Sequence, residues 1–260
     1  MLNVLGWNAD TSTFSVLDLR DGSVDRLPIS AEGLGAIADV VPLRSWIAVG
    51  CFEEVWAFPR PFSGSARHVA TSFSMQPGTD GDSLWVDAPS GTPGEFVCIG
   101  ATGAEVAPPV AAPLSARIDV VSEHGWIIRD GFHLYLWHDD RVESIGEGGV
   151  MAANGQIAIL DREIGHLAVL DLASGTERPL RLTPRPESFD LSGALSPGGG
   201  ALAAVARDGG RSHLATGEIA AGDLRLVTEV LLVDRSSGVI DRAPLSGDLP
   251  LPLIDYSLVV

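Results

Sequence analysis

The sequence predicts an all-β protein built from repeated four-stranded antiparallel units, on three observations. First, a β-rich run, a polar turn and a second strand-length run recur six times, beginning at Phe14, Val55, Glu95, His133, His166 and Glu229. In "HLAVLDLASGTERPL" (from His166) apolar residues carry the strands and Ala-Ser-Gly makes the turn; Gly and Asp tolerate the backbone angles that tight hairpins demand. Second, a further hairpin precedes most of these. "AIADVVPLRSWIAVG" (from Ala36) and "ARIDVVSEHGWIIRD" (from Ala116) match almost position for position, and "GVMAANGQIAIL" and "SGALSPGGGALAAVA" fit the same mould. The unit therefore has four strands, a to d. Third, the equivalent strand-c residues Leu17, Phe58, Ile99, Trp137, Leu170 and Val233 are separated by 41, 41, 38, 33 and 63 positions. A four-stranded unit of about 40 residues is the signature of a β-propeller blade.

The individual elements follow in order. "LNVLGW" near the N-terminus resembles a strand b, "WIAVGC", so the chain starts inside a blade. The C-terminal "LIDYSLVV" resembles a strand a, "IADVV". The 27 residues after Val233 and the 17 up to Leu17 together make one more period. The C-terminal strand is therefore expected to join the N-terminal blade and close a six-bladed propeller, hiding the terminal sheet edges. The long interval before Val233 is read as an inserted b–c loop in the last blade, residues 207–228. The whole chain, 1–260, is expected to form a single domain.

On these blades the chain resembles the WD-repeat-like bacterial β-propellers. The resemblance covers the whole length and concerns architecture only. "LSPGGGALAAV" (from Leu195) is similar to the Ser-Pro-Asp-Gly turn common in such blades, with Gly in place of Asp. The His and Trp-Asp pairs of true WD repeats are missing.

Composition narrows the function. The formal net charge is −17, which opposes phosphate-tracking nucleic-acid binding and adhesion to anionic lipid. All basic side chains are Arg, so neither a Schiff base nor a Lys general base is available. Cys51 and Cys98 show no partner spacing and read as buried thiols in a reducing compartment. With no basic leader at "MLNVLGWNAD" and no apolar run of spanning length, a soluble, cytoplasmic protein is expected. Hydrolase-elbow, zinc-protease, Walker and dinucleotide motifs are absent.

Three constellations remain. His133 and His166 begin strand c in neighbouring blades, and His213 lies in the expected insert. All three map to the end of the blades where b–c turns and d–a linkers meet. They either converge, to bind a metal such as Zn²⁺ or move protons, or stand apart at blade spacing. Arg211, in the same insert, is suited to a carboxylate or phosphate. Asp39, Asp119 and Asp255 share one position in strand a. They either ring a channel and hold a hard cation such as Ca²⁺, or accept hydrogen bonds that staple blades. "TDGDS" (Thr79–Ser83) resembles a calcium loop but reads as an Asp-Gly turn. His68, His124 and His138 are expected to be structural or surface residues. The expected function is binding of a small molecule or protein at the channel mouth. The alternative is a small-molecule enzyme there, a lyase, isomerase/cyclase or hydrolase.

Overall fold

The computed structural model describes residues 3–8, 13–18, 24–30, 33–34, 37–62, 65–138, 141–163, 166–183, 188–195, 201–208, 211–220, 223–227, 230–233 and 240–243. They fall into two compact units, residues 28–147 and residues 1–27 with 148–260.

Strands β1 (Asn3–Asn8), β2 (Thr13–Asp18) and β3 (Val24–Ser30) form a three-stranded antiparallel sheet. The first four-stranded blade is β4 (Ile37–Pro42), β5 (Trp46–Cys51), β6 (Glu54–Pro59) and β7 (Arg67–Thr71). The next comprises β8 (Met75–Pro77), β9 (Leu84–Asp87), β10 (Glu95–Ile99) and β11 (Glu105–Ala111). A third holds β12 (Arg117–Ser122), β13 (Gly125–Asp130), β14 (His133–His138) and β15 (Arg141–Glu147). Then come β16 (Gly149–Ala153), β17 (Ile157–Glu163), β18 (His166–Asp171) and β19 (Glu177–Thr183). These are followed by β20 (Ser188–Leu195), β21 (Ala201–Asp208), β22 (Arg211–Ala220) and β23 (Asp223–Val227). Strands β24 (Val230–Val233) and β25 (Ile240–Ala243) form a hairpin.

Consecutive antiparallel strands in blades of four are the architecture of a β-propeller. Six separate blades, however, are not what the described residues show. Four sheets have four strands or more, and one of these has eight, because β19 pairs in parallel with β23 through Arg181–Asp223, Leu182–Leu224 and Thr183–Arg225. The expected insert also differs: within 207–228, β22 pairs with β21 and β23 with β22. Those residues complete a four-stranded set, which accounts for the long interval before Val233. The C-terminal strand, and with it the ring closure, lies outside the described residues.

Burial explains why each strand occupies its place. Strand b is enclosed on both faces in the first complete blade, where every residue of β5, "WIAVGC", is buried. Strand c alternates in β14, where Leu134 and Leu136 are buried between more exposed neighbours, and is buried through its middle in β18. Strand d faces outward. β11 holds Pro108 and Pro109, β15 holds Arg141, Glu143 and Glu147, and neither strand has a buried residue. Proline and charge on an outer strand block further pairing. Two apolar cores result. Val41, Trp46, Val55, Met75, Leu84 and Val97 knit the first two complete blades; Met151, Ile159, Leu167, Val169, Leu195 and Leu202 knit the later sheet. Each fully buried large side chain contributes about 1.5–3 kcal/mol.

The a–b turns of adjacent blades are bonded together. Ser45 donates to Asp82 Oδ1 from its amide at 2.8 Å and its hydroxyl at 2.7 Å. The Trp46 indole donates to the Asp82 carbonyl at 2.8 Å, and the Arg44 amide donates to the Gly81 carbonyl at 2.9 Å. Asp80 Oδ1 accepts from the Asp82 amide and from the Ser83 amide and hydroxyl, which closes the turn. These bonds hold the Asp80 carboxyl below its ordinary range. "TDGDS" is thus a turn, and its second aspartate staples the blades. Asp82→Ala removes an acceptor shared by two donors, and the expected loss of stability is about 1–3 kcal/mol by urea unfolding.

Candidate functional site

Strand a carries a recurring irregularity. Its pairing with strand b slips between Ile37 and Asp39, between Ile118 and Val120, between Val150 and Ala152, and between Phe189 and Gly193. Such bulges re-aim side chains and increase local twist. Asp39 and Asp119 sit at two of them.

Asp39 lies opposite Gly50, with Met75 of the next blade alongside: a Cβ at Gly50 would fall 2.9 Å from Met75 Cε and 3.6 Å from Asp39 Cβ. The Val40 amide donates to Asp39 Oδ1 at 2.8 Å. Burial outweighs that bond and pushes the carboxyl up to about 6. Asp119 is different. Its Oδ2 accepts from Arg129 Nε at 2.7 Å, with the Asp119 side chain only 12 % exposed. Burial raises its pKa, and Arg129 and Arg117 oppose that rise. One carboxylate oxygen of Asp119 is therefore engaged by a guanidinium. Asp255 lies outside the described residues. Among the described residues, no three His, Cys, Asp or Glu side chains group closely enough to hold a metal ion.

The histidines are placed as follows. His133 begins β14 and is exposed, with Nε2 3.6 Å from Glu147 Oε1. His166 begins β18, also exposed. Nearby Asp161 has a buried Oδ1 without a hydrogen-bond partner, and burial raises its carboxyl while His166 opposes that. His213 and Arg211 belong to β22, paired with Ala206 and Asp208, rather than to a loop.

The end of the blades that carries b–c turns and d–a linkers has a feature that reading for titratable residues missed. In residues 28–147, Phe52 and Phe132 occupy b–c turns and Phe73 occupies a d–a linker; they are 74 %, 80 % and 62 % exposed. Antiparallel order puts all three at the same end of their blades. Each is built in. Asp87, closing β9, accepts at Oδ2 from the amides of Phe73 (2.8 Å) and Ser74 (3.1 Å) and from the Ser72 hydroxyl (2.8 Å). The Arg117 guanidinium carbon lies 5.7 Å from the Phe73 ring centroid, in cation–π range. Phe52 has φ 54, a left-handed conformation. In the corresponding turn between Asp130 and His133, Gly131 takes that position at φ 60. A non-glycine residue there costs about 1–2 kcal/mol. The signal was present in the sequence, as large apolar residues at turn positions that normally hold polar ones. Phe52→Gly is expected to leave the melting temperature unchanged or to raise it, since it relieves that strain; a large fall would contradict the turn geometry.

The comparisons agree with this architecture. The chain is similar to a protein of unknown function from Bacteroides caccae, with 11% identity over 86% of this chain and 92% of that one and a TM-score of 0.58. It is also similar to a chain of the mitotic checkpoint complex (12% identity, 86% and 76% covered, TM-score 0.53). A third likeness is to acylaminoacyl peptidase in complex with Z-Gly-Gly-Phe-chloromethyl ketone (16% identity, 86% of this chain, TM-score 0.51), of which this chain spans only 43%. No protein-family model and no curated protein matches the chain. At these identities the likeness is one of fold, and the class it defines is the β-propeller.

Proposed function

We propose that this protein is a binding propeller that docks a protein partner on the blade end bearing Phe52, Phe73 and Phe132. The observation that carries the reading is the exposure of three large aromatic rings at one end of one compact unit. On this reading the three rings act together as an exposed apolar docking patch, and aromatic anchors supply most of the affinity of an interface. The partner is basic around an apolar contact. Glu53 follows Phe52 in its turn and Glu54 opens β6, Asp130 precedes the turn of Phe132, and the net charge of −17 steers cationic partners in. A fold neighbour that is a chain of the mitotic checkpoint complex, a protein assembly, is consistent with such a use.

The catalytic alternative needs His133, His166, His213 and Arg211 to converge. The three exposed aromatic rings favour the binding reading over it. The test replaces Phe52, Phe73 and Phe132 with Ser together and measures partner affinity alongside the unfolding midpoint.

A further inference from the structure

The opposite end of the same unit holds a cavity of about 340 Å³, lined by Glu123, His124, Gly125, Trp126, Trp137 and His138. We propose that it is a binding site for an organic cation, specifically a methylated or quaternary ammonium group. This is independent of the partner surface, because these residues belong to the a–b turn and the c–d end of the blade of β12–β15.

The geometry is that of an aromatic corner. Trp126 and Trp137 are cross-strand partners, with ring centroids 5.3 Å apart and planes inclined at 72°. Trp85 (centroid 4.8 Å) and Phe96 (6.2 Å) pack on Trp126 from the neighbouring blade and fix its orientation. The turn is fixed too. The buried Ser122 hydroxyl donates to the Gly125 carbonyl at 2.7 Å and accepts from the His124 amide at 3.1 Å. His138 is seated directly on Gly125: a Cβ there would fall 2.6 Å from the His138 Nδ1. Gly125 is therefore required for the imidazole to close that wall.

The ligand class follows from the lining. Indole faces attract cations through the ring quadrupole, and they favour weakly hydrated ones that lose little on leaving water. Glu123, exposed at the cavity edge, supplies the counter-charge. Among the described residues no Lys or Arg lines the cavity, so an anion would meet the Glu123 carboxylate without an Arg or Lys beside it. The volume lies at the small end of ligand pockets and suits a head group with a short chain. That head group can come from a free small molecule or from a methylated lysine side chain, which share one chemistry.

The test follows the indole N–H resonances, assigned with Trp126→Phe and Trp137→Phe, while tetramethylammonium, choline or a trimethyllysine peptide is added. Saturable shifts of Trp126 and Trp137 are expected. The neutral carbon isostere 3,3-dimethylbutan-1-ol is expected to bind at least about tenfold more weakly. Glu123→Gln is a surface change; it is expected to weaken choline several-fold and leave the isostere unaffected. Tighter binding of choline than of the peptide identifies a metabolite site, and the reverse identifies a modified side chain; both support the cage. Equal binding of choline and the isostere, an unchanged affinity in Glu123→Gln, or no shift at these two indoles overturns it.

Discussion

Asp39→Asn is expected to stabilise the protein by about 3 kcal/mol at pH 8 and by only about 1 kcal/mol at pH 4.5. The cause is the enclosure of the carboxyl between strands, which raises its pKa from 3.8 to about 6. Between those values the folded state holds a proton that the unfolded chain has released. Folding stability therefore falls as the pH rises through this window, and above it the full cost of a buried charge remains. Asn keeps an acceptor for the Val40 amide and carries no charge, so it removes the cost. Urea unfolding of both proteins at the two pH values measures the difference. A stabilisation that is the same at both, or a loss of stability at pH 8, contradicts the account. Asp119 follows the same direction, but its bond to Arg129 offsets part of the cost. Inner-strand carboxyls that diminish stability are consistent with positions kept for purposes other than folding.

Replacing Phe52, Phe73 and Phe132 together with Ser is expected to weaken partner binding by about 100-fold or more, with the unfolding midpoint little changed. Each ring is mostly in water in the free protein, so folding gains little from it. On binding, burial of an aromatic anchor is commonly worth about 1–2 kcal/mol or more on truncation, and such effects are not additive. Association should also slow as salt rises, because the surrounding carboxylates and the net charge steer the encounter. Titration of wild type and variant at two salt concentrations separates the aromatic contribution, seen in dissociation, from the electrostatic one, seen in association. Equal affinity of the two proteins removes the proposed surface.

The repeat was legible because each hairpin states its own strands and turn. "WIAVGCFEEVWAFP" can hardly be anything but a buried strand b, a turn and a strand c. The later part was harder. β22, "RSHLATGEIA", mixes His, Gly, Ala and Glu, which have weak strand propensity, so it read as a loop and displaced the blade boundaries. The merging of β19 with β23 is a tertiary pairing that no local pattern announces. The bulges of strand a were equally silent: Asp119 and Met151 take the same place, so residue type does not encode them. The site was legible only in part. The alignment put Asp39 and Asp119 at equivalent positions, but whether a carboxyl is enclosed or paired with Arg129 depends on neighbouring strands. The histidines stand out for their chemistry, whereas Phe132 sits directly before His133 in "GFH" and reads there as one more turn residue. The indole corner required Trp126 and Trp137 to be read across a strand pair rather than along the chain.

The central claim is that the end bearing Phe52, Phe73 and Phe132 contacts a basic protein. The most direct measurement places a photo-crosslinking phenylalanine analogue at each of these positions, and in parallel at the exposed Arg44 and Thr79 in the a–b turns of the opposite end of the same unit. The account predicts one protein species of high isoelectric point crosslinked from all three phenylalanine positions and from none of the others. Equal crosslinking from both ends, or products only from the a–b turns, would contradict it.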